Sequence, residues 1–401
     1  MKLLHVTTVP QSLRLLTGQA GYMRSRGIDT SAVSSPGDAL QAHSASEAVP
    51  VCAVAMSRRI TPLADLTALV RLWRHLRKIR PEIVHSHTPK AGLLGMLAAW
   101  IARVPLRVYH IRGLPLVTKT GWKRRLLCWT ERIACRLSHQ VLCVSSSVAE
   151  VAVEEGLCAR GKIKVLAAGS GNGVEARERF RPDRLSASAA LRIRAANNIP
   201  PEAPVIGFIG RIVRDKGLVE LAEAWQMLRE EFPTLHLLIV GRFESEDPLP
   251  AKVERLLRDG DRIHLAGYVA ETPPFHAAMD LLVLPTYREG FPNVLLEAAA
   301  MGLPVVATRV PGCVDAVEHG VTGTLVPAAD AQSLGEAIRV YLRDPFLRRK
   351  HGQAARTRVL RDFQPRHIWE ALYREYLRLL RERGLAVPAR DPETEVRRKV
   401  A

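Results

Sequence analysis

Two glutamates, Glu289 and Glu297, stand seven residues apart, joined by Gly290-Phe291-Pro292-Asn293-Val294-Leu295-Leu296. The apolar run Leu281-Leu282-Val283-Leu284 precedes them, and a strong helix former closed by Gly302 follows. The order is therefore strand, loop, helix. Glu289 lies in the loop, where Gly290 lets the backbone approach a ligand. Pro292 suits the start of a helix and Asn293 is expected as its cap. Loop amides at a helix N-terminus make an anion site, and the two carboxylates beside it can accept hydrogen bonds from sugar hydroxyls. A second stretch, Gly210-Arg211-Ile212-Val213-Arg214-Asp215-Lys216-Gly217, also follows an apolar strand and opens a helix. Arg211 and Lys216 are both long enough to reach a diphosphate, and two fixed cations would stabilise the charge building on a leaving nucleoside diphosphate. There is no GxxxxGK[ST] loop, which argues against a phosphoryl-transfer ATPase.

In the first half, His110 ends the strand Leu106 to Tyr109, at the edge of the sheet where ligands bind in such folds. His85 and His87 alternate, but no Cys, Asp or Glu adjoins them to complete a metal site. Ser86, Thr88 and Lys90 suit an anionic acceptor. The loop Thr8-Val9-Pro10-Gln11-Ser12-Leu13 lies between the first strand and the first helix.

The elements that must position these groups alternate. Strands are expected at 2–7, 30–34, 49–54, 82–86, 106–111, 140–144 and 163–166, with helices at 11–26, 62–79, 91–102, 121–137 and 145–156. A second series begins at 205–210 and runs through strands at 235–241, 262–265, 281–285 and 304–307, with helices at 217–231, 250–259, 273–278, 293–301, 331–343 and 346–361. This α/β alternation predicts two doubly wound parallel sheets. The expected division is an N-terminal Rossmann-like domain over 1–173, a linker over 174–200, a second Rossmann-like domain over 201–364 and a disordered tail over 384–401. A ligand cleft is expected between the two domains, at the carboxyl ends of both sheets.

The composition is that of a soluble protein, 47% hydrophobic and 24% charged. The most apolar stretch, 91–102, is shorter than the roughly 20 residues a membrane span needs. The first residues read as a strand rather than a signal peptide. The six cysteines form no CxxC or zinc spacing and read as reduced thiols of a cytoplasmic protein. The net charge of +18 is uneven: residues 1–173 hold 24 Lys/Arg against 9 Asp/Glu, and the remainder 34 against 31. Such asymmetry points to an anionic partner, nucleic acid or membrane. Only 5% of residues are aromatic and no recognition motif is present, which disfavours nucleic acid. Residues 121–137 read as a basic helix with Trp122, Leu126, Trp129, Ile133 and Leu137 on one stripe and Lys123, Arg124 and Arg125 beside it, suited to an anionic membrane.

The Glu289-to-Glu297 spacing, with Gly-Phe-Pro directly after the first acid, resembles the EX7E motif of family 4 retaining glycosyltransferases. The GRxxxxKG stretch at Gly210 to Gly217 is similar to their donor-diphosphate loop. The α/β organisation resembles the fold of that family over essentially the whole ordered chain. The resemblance implies the GT-B fold, with the last helix, 365–383, packing back on the N-terminal domain through Trp369 and Tyr373. It implies that Glu289 contacts the donor sugar, that Glu297 holds the ribose, and that Arg211 and Lys216 bind the diphosphate. Tyr268 and Val269 would line the base, and Asn172, in Gly171-Asn172-Gly173-Val174, would face the donor. His110 would lie near the transferred sugar, although the family's usual His-Asp or His-Gly is here His-Ile-Arg-Gly. The family's Gly-Gly pair is absent from the first strand–helix loop. The stretch His85 to Gly95 resembles bacterial enzymes that extend polyprenyl-diphosphate-linked glycans. The implied activity moves a hexose or N-acetylhexosamine from a UDP-sugar to such an acceptor, with no metal or other cofactor, at the inner face of the cell membrane. A GT-B-fold UDP-N-acetylglucosamine 2-epimerase is the rival enzyme; it would need acid/base carboxylates in the same cleft.

Overall fold

In the computed structural model, which describes residues 1–57, 59–185 and 187–388, the chain divides into two units. The first comprises Met1–Asn172 and the chain from Arg366 onward, and the second Gly173–Pro365.

The first unit runs β1 (Lys2–Val6), α1 (Gln19–Ser25), β2 (Asp29–Ser34), α2 (Asp38–Glu47), β3 (Val51–Ala53), α3 (Pro62–Ile79), β4 (Ile83–His87), α4 (Pro89–Ile101), β5 (Leu106–Ile111), α5 (Gly121–Leu137), β6 (Gln140–Cys143), α6 (Ser146–Glu154) and β7 (Ile163–Val165). Its strands lie in the order β3-β2-β1-β4-β5-β6-β7, every pair parallel. β1, β4 and β6 are buried almost end to end because helices cover both faces; β1 and β6 are largely apolar, while β4, Ile83-Val84-His85-Ser86-His87, buries polar side chains as well. Ser145 caps α6, accepting from the Val148 amide at 3.3 Å. The helix expected over 11–26 is two: a 3₁₀ turn, Pro10–Leu16, and then α1. Gly18 breaks them at φ +78°, and a side chain there would meet the Trp369 ring.

The second unit runs α7 (Ala187–Ala196), β8 (Val205–Ile209), α8 (Leu218–Glu231), β9 (His236–Val240), α9 (Ala251–Asp259), β10 (Ile263–Gly267), α10 (Pro273–Ala277), β11 (Leu281–Leu284), α11 (Asn293–Ala300), β12 (Val305–Thr308), α12 (Cys313–Ala316), β13 (Gly323–Val326), α13 (Ala331–Arg343) and α14 (Pro345–Asp362). The strand order is β10-β9-β8-β11-β12-β13, again all parallel. This is the doubly wound order in which β8 and β11 are neighbours whose following helices leave on opposite faces. Trp225 and Phe208, both fully buried, centre its core.

Residues 174–200, expected as a linker, belong to this second unit. Val174, Ala176 and Phe180 pack with Leu296, Ala300 and Phe363, and the Val174 amide donates to Phe363 O at 2.9 Å. Arg194 of α7 donates to the carbonyls of Ala278, Pro201 and Ala203. An Arg-rich run with no apolar period gave no sign that it would be tied down by carbonyl hydrogen bonds.

The last helix, α15 (Pro365–Glu382), lies on the first unit. Leu372, Tyr376, Leu377 and Leu380 join Leu3, Ile83, Leu106 and Leu142 in one cluster. At roughly 2 kcal/mol per buried side chain of this size, that contact holds the helix in place. Trp369 donates its indole N–H to Asn172 Oδ1 at 2.7 Å, and Tyr373 is buried beneath the Arg26 guanidinium. Residues 389–401 of the tail expected to be disordered lie outside the described residues.

Candidate active site

At the carboxyl ends of β8 and β11 the second unit brings its two sequence motifs together. The loop after β8 is pressed onto the end of β11: Gly217, at φ +73°, has Pro285 O where a Cβ would be, and only glycine fits there. The Tyr287 amide and the Thr286 hydroxyl both donate to Asp215 O, at 3.0 and 3.2 Å. Arg288 pairs with the Asp215 carboxylate at 2.6 Å. This clamp sets Lys216 directly against Glu289, whose side chains form an ion pair although 73 residues separate them. Arg211, on the same loop as Lys216, pairs with Glu244 at 2.9 Å. Both cations named from sequence are thus held by carboxylates, and neither Glu244 nor Asp215 stood out as a partner in the sequence.

α11 starts at Asn293 itself, with Pro292 in the cap position and no side chain capping it. The expected Asn293 cap is therefore absent, and the first amides of α11 are left without a side-chain acceptor. Gly290 O and the Phe291 amide lie against Gly312, while Phe291 packs on Phe363 at 5.4 Å between ring centroids. Burial pushes the Cys313 thiol well above its usual range, with the Glu289 charge adding to the effect.

Glu297 lies one turn into α11 and is partly buried. Burial raises its carboxyl to about 6, against the opposing pull of Arg179 and a 3.4 Å hydrogen bond donated by Thr272. Arg179 comes from the stretch expected to be a linker and is anchored to Glu271 at 3.2 Å. At the end of β10, Tyr268 is half exposed with the Arg242 guanidinium 4.6 Å above its ring, and Val269 packs against the core. These residues line one end of one sheet: two cations, two carboxylates, a helix start with no side-chain cap and a cation-capped aromatic.

The first unit carries a different chemistry at the same end of its sheet. His5, His85, His87 and His110, from β1, β4 and β5, have ring centroids 4.2 to 5.6 Å apart in a buried group. His110 stacks on His85 at 5.3 Å with the planes 4° from parallel. Tyr376 of α15 meets His85 Nδ1 at 2.6 Å. Arg112 Nε donates to His87 Nδ1 at 3.1 Å, which leaves the His87 proton on Nε2, 3.0 Å from His5 Nδ1. Burial, and then the neighbouring Arg112 and histidines, keep these imidazoles below their usual range: His5 falls to about 3, and His85, His87 and His110 lie well below 6.5. They are neutral at physiological pH. Burial also lowers Arg112 to about 10, so it stays charged.

Nitrogens of His5, His85 and His87 come within 4.8 Å of one another, the spacing of a metal ligand set. The hydrogen-bond order works against that use: His87 would have to give up the Nε2 proton, with a guanidinium rather than a carboxylate behind it. Buried His85 Nε2, His110 Nδ1 and Gln19 Oε1 have no protein partner. Gln19, His85 and His110 line, with Arg112 and Gly171, a cavity of about 10 Å³, about the space of one water. Sequence reading missed His5, Gln19, Arg112 and Tyr376; the parallel register, which sets His5 beside His85 and His87 beside His110, is what assembles them.

Other expected groups are committed elsewhere. Ser86 is fully buried against α4, where a Cβ on Gly95 would meet its oxygen. Lys90 pairs with Asp65 at 2.8 Å and donates to Arg59 O. Thr88 and Thr8 bond each other at 2.8 Å, and Thr8 also accepts from the Ala91 amide, so this loop supports the start of α4. The burial of Ser86 and the ion pair of Lys90 correct the view of them as free groups for an anionic acceptor. Asn172 spans Thr17 O and Trp369 within the first unit.

Two family models match the chain, "Glycosyl transferase 4-like domain" over residues 14–169 and "Glycosyl transferases group 1" over 203–344. The capsular polysaccharide biosynthesis glycosyltransferase CapM of Staphylococcus aureus is 34% identical over 95% of this chain and 98% of its own. The N,N'-diacetylbacillosaminyl-diphospho-undecaprenol alpha-1,3-N-acetylgalactosaminyltransferase of Campylobacter jejuni is 28% identical over 72% of this chain and 75% of its own. Among solved structures, Anabaena HepE in complex with UDP-glucose aligns with a TM-score of 0.78 over 94% of this chain and all of its own, at 22% identity. With two all-parallel Rossmann-like sheets and a relative matched nearly end to end, this chain belongs to the group 1, family 4-like glycosyltransferases of GT-B fold.

Proposed function

We propose that this enzyme of polysaccharide assembly transfers a hexose or N-acetylhexosamine, with retention, from a UDP-sugar to a hydroxyl of a polyprenyl-diphosphate-linked glycan. The observation that carries this reading is the meeting of Lys216 and Glu289, with Arg211 on the same loop as Lys216, at the point where the second sheet reverses its winding. Anions bind at that point in doubly wound folds. The donor diphosphate takes the place of the carboxylates that now hold Arg211 and Lys216. Glu289, freed from Lys216, accepts hydroxyls of the sugar. Glu297 accepts the ribose hydroxyls, while Tyr268, Val269 and the backbone from Gly290 to Asn293 enclose the nucleotide. Asn172 is taken up by Thr17 O and Trp369, which leaves neutral His110 as the residue that we assign a hydrogen bond to the transferred sugar.

The bond from the anomeric carbon to the diphosphate oxygen breaks and its electron pair leaves with UDP. The acceptor oxygen bonds the same carbon on the same face, and its proton passes to the departing diphosphate oxygen. Arg211 and Lys216 stabilise the charge that develops. The buried polar cluster of the first unit is imidazole rather than carboxylate, which favours transfer over epimerisation. With two fixed cations at the diphosphate, no metal is required. A lipid-linked acceptor places the enzyme on the inner face of the cell membrane.

The test is a donor screen by UDP release with a polyprenyl-diphosphate-linked acceptor, in the presence of EDTA, with the product anomer read by NMR. Retention with one UDP-sugar, unaffected by EDTA, is expected. A product of inverted configuration, or conversion of the UDP-sugar without acceptor, contradicts the reading.

A further inference from the structure

α3, α4 and α5 lie side by side on one face of the first sheet, α4 between the other two. In a parallel sheet such helices all begin at the carboxyl ends of the strands, the end that carries the buried histidines. Lys90, at the start of α4, reaches Asp65 in the first turn of α3, so the helix starts are in contact. Around them the surface is apolar. Leu63 is 84% exposed, Leu66 58% and Ile60 55%, at the start of α3; Trp122 is 64% exposed and Val117 43%, at the start of α5. The inner face of α3 shows what its leucines do when they pack: Leu72 and Leu76 are fully buried.

The cations are placed with them. Arg59, Lys119, Lys123 and Arg125 are exposed at this end, and Arg71, Arg74, Arg77, Arg132 and Arg136 continue down the outer faces. From Ile83 through Thr130 the chain has no acidic residue. The only acids of the three helices are engaged: Asp65 with Lys90, and Glu131, buried, with the Tyr109 hydroxyl at 2.7 Å. The stripe expected from sequence was Trp122, Leu126, Trp129, Ile133 and Leu137. The outward stripe is instead Trp122, Arg125, Trp129, Arg132 and Arg136, because Leu126, Ile133 and Leu137 are only partly exposed.

We propose that this end of the α3–α4–α5 layer docks on an anionic phospholipid surface, with Ile60, Leu63, Leu66 and Trp122 entering the interface and Lys119, Lys123 and Arg125 meeting the headgroups. Charge complementarity selects the occupant. A nucleic acid would match the cations but has no use for three exposed aliphatic side chains, whereas a leaflet takes up both. No helix among the described residues is long and apolar enough to cross a membrane, so the attachment is peripheral. The proposal gives the lipid-linked acceptor of the function above a place to be presented, and it rests on that reading only in this respect.

Sedimentation with vesicles, without donor or acceptor, tests it. Wild-type enzyme should bind phosphatidylglycerol vesicles, with binding falling steeply between 50 and 500 mM salt, taken as a range of about one decade. Joint Leu63→Ser, Leu66→Ser and Trp122→Ser substitution should weaken binding about tenfold or more. Lys119→Ser, Lys123→Ser and Arg125→Ser together should remove most of the salt dependence. Trp100→Ser, at the far end of α4 where Trp100 is 54% exposed, should bind as wild type. All are surface positions, and an unchanged thermal melt and UDP affinity would separate loss of docking from loss of fold or of donor binding. Equal binding to neutral and anionic vesicles, an equal loss in Trp100→Ser, or a dimer that the apolar substitutions dissolve, would each overturn the proposal.

Discussion

Lys216 and Glu289 form an ion pair, so under the proposed function the donor diphosphate competes with a carboxylate for the lysine. This gives one substitution two opposite effects. Glu289→Gln should lower transfer about 100-fold or more, because the carboxylate on the sugar is lost. The same change should leave UDP affinity equal or higher, because Lys216 is released. Calorimetry with UDP and a transfer assay separate the two; a fall in both would show that Glu289 serves the fold of the loop rather than the sugar. Glu297 adds a pH dependence. Its carboxyl, raised to about 6 by burial, is the better acceptor for ribose hydroxyls when ionised. Binding to the ionised form releases a proton, so nucleotide-sugar affinity should rise with pH through about 6 and level off above it. A nucleotide sugar has no group of its own titrating there. The slope should vanish in Glu297→Gln, and an unchanged slope would remove Glu297 from the ribose. These motifs were legible because each is local, a few residues at fixed spacing. Their partners were not: Glu244 is 33 residues from Arg211, and Arg179 belongs to a stretch with no helical or strand period.

At the scale of elements, the first sheet gathers four histidines through the register of β1, β4 and β5. Their lowered pKa values have a consequence for stability. The unfolded chain binds protons on these histidines below about 6.5, while the folded chain does not, so stability present above that pH is lost as pH falls. Well below 6.5 each such histidine contributes a loss of about 1.4 kcal/mol per pH unit. Thermal or urea unfolding of the first unit, followed from pH 7.5 to 5, should show this steep loss, and His85→Gln should make it shallower. A pH-independent midpoint over that range would mean that the cluster is solvated and titrates normally. The sequence shows the strands clearly because continuous apolar runs between helical patterns leave few alternatives. It shows α2 poorly, since Asp38–Glu47 is mostly small and polar with only Leu40 buried. β13 is four residues beginning with glycine, too short to register as a period.

Across the whole molecule, the chain makes one unit, makes a second, and returns with α15 to complete the first. The net charge follows that division: the first unit's N-terminal chain holds nearly all the excess, while the second, with Arg211 and Lys216 paired to acids, is close to balanced. One unit is suited to an anionic surface and the other to a soluble anionic donor. Under the proposed function, sugar transfer depends on the cation pair at the reversal point of the second sheet. The most direct measurement is the rate of UDP release from the UDP-sugar, with and without lipid-linked acceptor, for the wild-type enzyme and for Lys216→Ala. Acceptor-dependent release is expected of the wild type, with a loss of about 100-fold or more in Lys216→Ala and weakened UDP binding. Release at the wild-type rate by Lys216→Ala, or release that ignores the acceptor, would contradict the proposed function.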